Sequence, residues 1–168
     1  MRKVTALLAA SALVFGATSA AAATFGPTSP LPNTHRYSGA VAVKKDGLTY
    51  NCTLAIDIKV NSASDVDVNV VGGALSGGFP CALIAITGTG NVDHDGTNWG
   101  LTGLTIDPPL SAGVCTGRIK FVWGGNTANP RTIALTNGFS DSSDPGGGNP
   151  CKMQGTLSSA GDTLTATP

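Results

Sequence analysis

The chain has 168 residues, ten Lys plus Arg against ten Asp plus Glu, and a formal net charge of zero at pH 7. Only 12% of it is charged, with no basic stripe, which excludes a nucleic-acid partner. Every acid is Asp and Gln154 is the single Gln, so straight-chain helix formers are scarce; Gly, Thr, Val, Ile, Asn and Ser favour strands and turns.

Residues 1–23 read as a secretion signal. Arg2 and Lys3 form a basic n-region, Ala6 to Ala17 an apolar h-region, and Ser19 to Ala23 a small-residue site cleaved after Ala23. The apolar run is too short for a membrane anchor, and no later run approaches the ~18 apolar residues that a spanning helix needs. The expected product is an exported chain of about 145 residues, enough for one domain with its own core.

Residues 24–36 carry Pro27, Pro30 and Pro32 and read as an extended arm, followed by a single β-rich domain over 37–168. Ser38 to Val43 is a first strand, and Lys44-Lys45-Asp46-Gly47 a turn with the Asp-Gly hairpin signal. The run LTYNCTLAIDIKV, Leu48 to Val60, alternates apolar and polar residues throughout, the signature of a half-buried antiparallel strand, with Cys52 on its apolar face. Asp65 to Val70 alternates likewise. Cys81 to Thr87 is a continuous apolar run, expected as a central strand. Further strands are expected over Leu101 to Asp107, Cys115 to Trp123, Arg131 to Leu135, Cys151 to Leu157 and Leu164 to Thr167, with a Gly-rich loop over Asp141 to Pro150. About eight to ten short strands separated by turns imply an antiparallel β-sandwich or barrel-like domain.

Four cysteines, Cys52, Cys81, Cys115 and Cys151, imply two disulfides in an exported chain. Zinc is the rival use, but no C-x-x-C pair is present. Three pairings exist; short loops favour Cys52–Cys81 and Cys115–Cys151.

The segment NVDHDG, Asn91 to Gly96, is where chemistry could reside. Asn91, Asp93, Asp95 and Gly96 match the start of a calcium loop, in which oxygen ligands at alternate positions curl around a cation. The twelfth position, which should supply a bidentate Glu, is Thr102, so Asn91, Asp93 and Asp95 are weak metal candidates and a hairpin turn is the favoured reading. His94 lacks a G-x-S-x-G nucleophile, and His35 lies in the Pro-containing arm. Gly146-Gly147-Gly148 has no Lys-Ser/Thr to complete a phosphate loop. No catalytic residue, metal or cofactor is expected. Trp99, Phe121 and Trp123 read as core; Tyr37, Phe79 and Phe139, near turns, are candidates for exposure.

Several anchors resemble a known family. They are Ser-Gly-x-Val-x-Val at 38–43, Asn51-Cys52-Thr53, Ser76-Gly77-Gly78 before Cys81, and Trp99-Gly100-Leu101-Thr102. Cys115-Thr116-Gly117-Arg118-Ile119 leading to Trp123, and Cys151 before a short strand, complete the set. Together they resemble the exported bacterial alkane-oxidation activators of the PraA and PraB type. The resemblance implies a secreted or cell-surface protein of a Gram-negative bacterium, linked to hydrocarbon use, emulsification, and attachment or biofilm formation. It supplies no catalytic residues. The expected protein is therefore non-enzymatic, with a hydrocarbon or other apolar surface as partner. The alternative is a structural subunit that self-associates into extracellular fibres by β-edge pairing, its 24–36 arm swapping into a neighbour.

Overall fold

The computed structural model describes residues 22–111, 113–140 and 151–168, with 137–140 as backbone. Its strands are β1 (Thr24–Gly26), β2 (Asn33–Lys45), β3 (Leu48–Ser62), β4 (Asp65–Val70), β5 (Ala85–Thr87) and β6 (Asn91–His94), then β7 (Trp99–Thr102), β8 (Thr105–Asp107), β9 (Arg118–Trp123), β10 (Arg131–Ser140), β11 (Lys152–Ser159) and β12 (Thr165–Thr167). Single 3-10 turns stand at Val71–Gly73 and Cys81–Leu83.

Eight strands form one antiparallel sheet in the order β4-β3-β2-β11-β10-β9-β7-β6. The sheet curls until its outer strands meet. Val68 of β4 and Gly90, just before β6, exchange backbone hydrogen bonds of 2.8 and 2.7 Å, so the sheet is a nearly closed barrel. Alternation dictates this shape. Tyr50, Cys52, Leu54, Ile56, Ile58 and Val60 of β3 all point inward and are buried. Val41, Val43, Ile119, Phe121, Ile133, Leu135, Met153 and Leu157 complete the interior from the neighbouring strands. Outward positions of β3 carry Thr49, Asn51, Thr53, Asp57 and Lys59. An apolar inside and polar outside is the reverse of a lipid-facing barrel wall. Among the described residues no helix is long and apolar enough to cross a membrane.

The register defines two ends. Strand β2 starts at one end with Asn33 and finishes at the other with Lys45, where it pairs with Leu48 across Asp46 (φ 50°) and Gly47 (φ 80°). Two positive φ values make the primed two-residue hairpin turn that the Asp-Gly pair signals. At the Asn33 end a two-stranded ribbon, β1 with β12, covers the barrel mouth. Phe25 is buried there, 6.0 Å from the ring of Trp99. At the Lys45 end lies a second ribbon, β5 with β8, together with both disulfides, Cys52–Cys81 and Cys115–Cys151.

Several elements differ from the sequence expectation. Residues 24–36 are not an arm outside the domain. Thr24–Gly26 pairs with Thr165–Thr167, and Asn33 to Arg36 pairs with Val60 to Asp57, extending β2 back from Ser38. The three prolines obscure an alternation in which His35 and Tyr37 already point inward. Cys81 to Thr87 is not a central strand; it is a 3-10 turn followed by the short β5 outside the main sheet. Its apolar run fills the barrel end. Leu101 to Asp107 breaks at Gly103 (φ 79°), where a Cβ would lie 2.7 Å from the Thr89 carbonyl. A Gly is needed for that turn, and it sends β7 into the barrel and β8 into the ribbon. Of the Cys115 to Trp123 run, Cys115 forms only an isolated bridge to Ile106 and the strand begins at Arg118. Tyr37 is fully buried, whereas Phe79 is 82% exposed; Trp99 and Phe121 are core and stack at 6.2 Å. Residues 141–150, expected as a Gly-rich loop, the Phe139 side chain, and residues 1–21 of the expected secretion signal lie outside what is described.

Candidate functional site

The NVDHDG segment forms β6 and its hairpin to β7, with His94 opposite Trp99. Asp95 Oδ1 accepts hydrogen bonds from the Thr97 and Asn98 backbone N–H groups at 3.0 and 2.7 Å, closing the turn. Those backbone bonds, with the Arg118 charge, hold the Asp95 carboxyl below the usual carboxylate range. Arg118 reaches across from β9. Its Nε donates to Asp93 Oδ1 at 2.7 Å, one terminal nitrogen to Asp95 Oδ2 at 3.0 Å, and the other to the Asn98 carbonyl at 2.7 Å. The guanidinium lies over Gly100, where any Cβ would collide with it. His94 accepts from the Gly96 N–H and sets its ring edge-on to Trp99, 4.9 Å between centroids.

The two metal-candidate carboxylates are thus engaged by an arginine. Among the described residues no group of three His, Cys, Asp or Glu is placed to hold a metal. Asn91 stands at the far end of β6, opposite Thr102. An Arg on β9, two strands across the sheet from Asp93 on β6, with Gly100 on the intervening β7, is the signal for this clamp. Both acids are nearly half exposed, which limits the clamp's value. Arg118→Ala is expected to cost about 1 kcal/mol in urea unfolding, with the fold retained. A loss several times larger would mean the guanidinium carries part of the core.

A second cluster lies under the β1–β12 ribbon. His35 and Asp162 are both buried, and His35 Nδ1 is hydrogen-bonded to Asp162 Oδ1. His35 Nε2 faces Asn33 Oδ1 at 2.9 Å, while the Asn33 amide donates to the Pro27 and Pro30 carbonyls at 2.7 and 3.4 Å. Both ring nitrogens are therefore engaged by oxygen atoms of neighbouring side chains. Asp162 Oδ1 also accepts from the Thr163 and Leu164 N–H groups. Tyr37 lies in reach of the same carboxylate, at a geometry too poor for a full hydrogen bond. Burial and the Asp162 charge push the Tyr37 hydroxyl pKa far up. A His–Asp pair can orient a catalytic base, but here both nitrogens are occupied and the ring is covered. Its geometry is that of a latch. It ties the start of β2 to the turn that leads into β12, and through Asn33 to the chain leaving β1.

The opposite end has a different chemistry. Residues 71–90 and 108–117 contain no Asp, Glu, Lys, Arg or His. They carry three exposed large apolar side chains, Phe79 (82%), Leu110 (60%) and Leu83 (55%). Backbone bonds from Cys81 N to Gly78 O and from Leu83 N to Pro80 O fix the turn that bears Phe79 and Leu83. The Cys52–Cys81 disulfide pins that turn to β3. Beside it a shallow groove of about 460 Å³ crosses the outer sheet face, floored by Ala40 and Ala42 and walled by Asn51, Thr53, Gln154 and Gly77.

The chain matches, over residues 1–168, the family model described as alkane oxidation protein activator PraA/PraB-like. It belongs to this family. No curated protein and no solved structure matches it. The family places the protein in alkane utilisation. Most of the residues that carried the resemblance are now seen to build the scaffold. Cys52, Cys81, Cys115 and Cys151 form the two disulfides, Gly77 and Gly78 lead into the Cys81 turn, and Gly100 makes room for Arg118. Two disulfides, formed and kept in oxidising compartments, suit an exported member of the family.

Proposed function

We propose that the protein is exported after cleavage at Ala23 and promotes alkane utilisation without catalysis. It does so by acting at apolar surfaces, through emulsification or attachment. The observation that carries this reading is the exposure of large apolar side chains, Phe79 at 82% foremost, on a barrel whose outer strand faces are polar. Among the described residues, the candidate groups are engaged in structure: Asp93 and Asp95 with Arg118, His35 with Asp162, and the cysteines with each other. Fibre assembly by edge pairing is less favoured, because the outer strands β4 and β6 of the main sheet are bridged at Val68 and Gly90, and a closed barrel offers little edge.

The test uses protein expressed as the full chain and exported by a bacterial host. Mixing it with hexadecane is expected to deplete it from the water phase and to stabilise an emulsion, well beyond a β-rich control of similar size. Depletion equal to the control would remove this reading. Regular filaments in electron micrographs of the same sample would instead favour the structural subunit.

A further inference from the structure

We propose that the protein meets the hydrocarbon with one end only, the disulfide-bearing cap formed by residues 71–90, 108–111 and 113–117, with Phe79, Leu83 and Leu110 as the inserting side chains. This inference rests on the surface-active reading above and gives it an address.

Three observations point to the same end. The first is charge. Neither cap segment contains a single ionisable side chain apart from the disulfide-bonded Cys81 and Cys115. A surface that enters an alkane phase must shed its water, and a charge there would be prohibitively costly to desolvate. Asp107, opposite Ala85 at the end of the β5–β8 ladder, marks the border of the cap. Lys44, Asp46 and Lys152 stand at the same end of the barrel, on β2, its hairpin turn and β11, but outside both cap segments; at the opposite end Asp93, Asp95 and Arg118 hold the β6–β7 hairpin.

The second observation is placement. Phe79 is the first central residue of the turn closed by Cys81 N and Gly78 O, and Leu83 follows after one 3-10 turn. Antiparallel pairing of Ala85 with Asp107 continues toward Leu83 on one strand and Pro109-Leu110 on the other, so both leave the ladder at the same end. The third observation is rigidity. Cys81 is tied to β3 and Cys115 to the start of β11. An apolar loop free to move would fold its side chains back onto the protein; this one is held with them outward.

The occupant is an uncharged apolar liquid rather than an anionic membrane, because the exposed Phe79, Leu83 and Leu110 stand on two segments that carry no Lys or Arg to meet lipid phosphates, the paired Lys44 and Lys152 of that end lying on the barrel wall. A protein partner would find hydrophobic anchors but none of the charged residues that usually give orientation at a rim.

The experiment compares the exported wild type with Phe79→Ser/Leu83→Ser/Leu110→Ser, and with Val122→Ser as a control in which an apolar residue on β9, as exposed as Leu83, is lost. All four positions are exposed, so circular dichroism and the absence of free thiols should be unchanged; Leu83→Asp, a single added charge, repeats the test if the triple variant misfolds. Partition into a hexadecane emulsion is expected to fall by at least about a hundredfold in the triple variant, since each exposed side chain contributes about tenfold or more on transfer. Val122→Ser should keep wild-type partition. Wild-type partition by the triple variant would overturn the cap while leaving the surface-active reading intact; no partition by the wild type would remove the reading itself. Cap-dependent binding to phosphatidylserine vesicles without hexadecane partition, or loss of a wild-type dimer on gel filtration in the triple variant, would overturn the hydrocarbon in favour of lipid or a second copy.

Discussion

Replacing both cysteines of either disulfide by Ala is expected to lower unfolding stability by about 3–4 kcal/mol, and replacing all four to leave the chain largely unfolded at 37 °C. The bridges span 29 and 36 positions of sequence. Closing loops of that length removes about 3.5–4 kcal/mol of chain entropy from the unfolded state. A domain of this size has roughly 5–15 kcal/mol in total, so two such losses exhaust most of it. Structure adds to the entropy. Cys115 and Cys151 are fully buried, and Cys115 also pairs with Ile106 of the β5–β8 ribbon. Cutting that bridge loosens the ribbon from the barrel wall as well as lengthening the free loop. Guanidinium midpoints of the two double variants and the quadruple variant measure this directly. A quadruple variant with the wild-type midpoint, or a wild type with free thiols before reduction, would contradict it.

The cap and the barrel wall were unequally legible in the sequence. Strand β3 declares itself, because alternation in a half-buried strand has no competing explanation over so long a run. The Asp46-Gly47 turn is equally plain, since φ is positive at both positions and few residue pairs tolerate that. Cys81 to Thr87 misleads because an unbroken apolar run suits a strand buried on both faces and a cap that fills a barrel mouth equally well. The exposed Leu83 sits inside it between buried Cys81 and Ile84. Periodicity cannot separate the two; the absence of charge over 71–90 could have, since it marks the whole segment as one surface. The β1–β12 ribbon was half visible. Leu164 to Thr167 reads as an edge strand, but its partner is at the other terminus, and pairing over so long a separation leaves no local trace. His35 was hidden for a related reason: its partner Asp162 stands 127 positions away. In the NVDHDG segment the local signals were correct for a hairpin. Arg118, brought from another strand, supplies the cation that both carboxylates meet.

The latch at the other end yields the second large effect. Asp162→Ala is expected to destabilise the protein by about 3 kcal/mol at neutral pH, because it strips a buried histidine of its carboxylate. The same change leaves the N–H groups of Thr163 and Leu164 without an acceptor at the turn into β12. Loss of that turn unpairs β1, whose Phe25 covers Trp99. The pH profile distinguishes this from simple loss of packing. Burial by itself would raise the Asp162 pKa; the nearby Tyr37 hydroxyl and the hydrogen bonds from His35 and the Leu164 N–H outweigh it and hold the pKa below the ordinary value. A carboxylate depressed on folding contributes stability that is fully present above its unfolded pKa of about 4 and is lost as pH falls through the lower folded value. Wild-type stability should therefore hold down to about pH 5 and decline below about pH 4. In Asp162→Ala the decline should be shallower, though not absent, because Asp57, held by Arg36, and Asp95, held by its turn, are depressed in the same sense. Urea midpoints between pH 2.5 and 7 for the two proteins supply the comparison. Parallel curves, offset equally at every pH, would show that the Asp162 pKa does not change on folding and that the latch works by packing alone. Convergence toward low pH would show that its charge holds the ribbon in place, and with it the barrel end that faces away from the apolar cap.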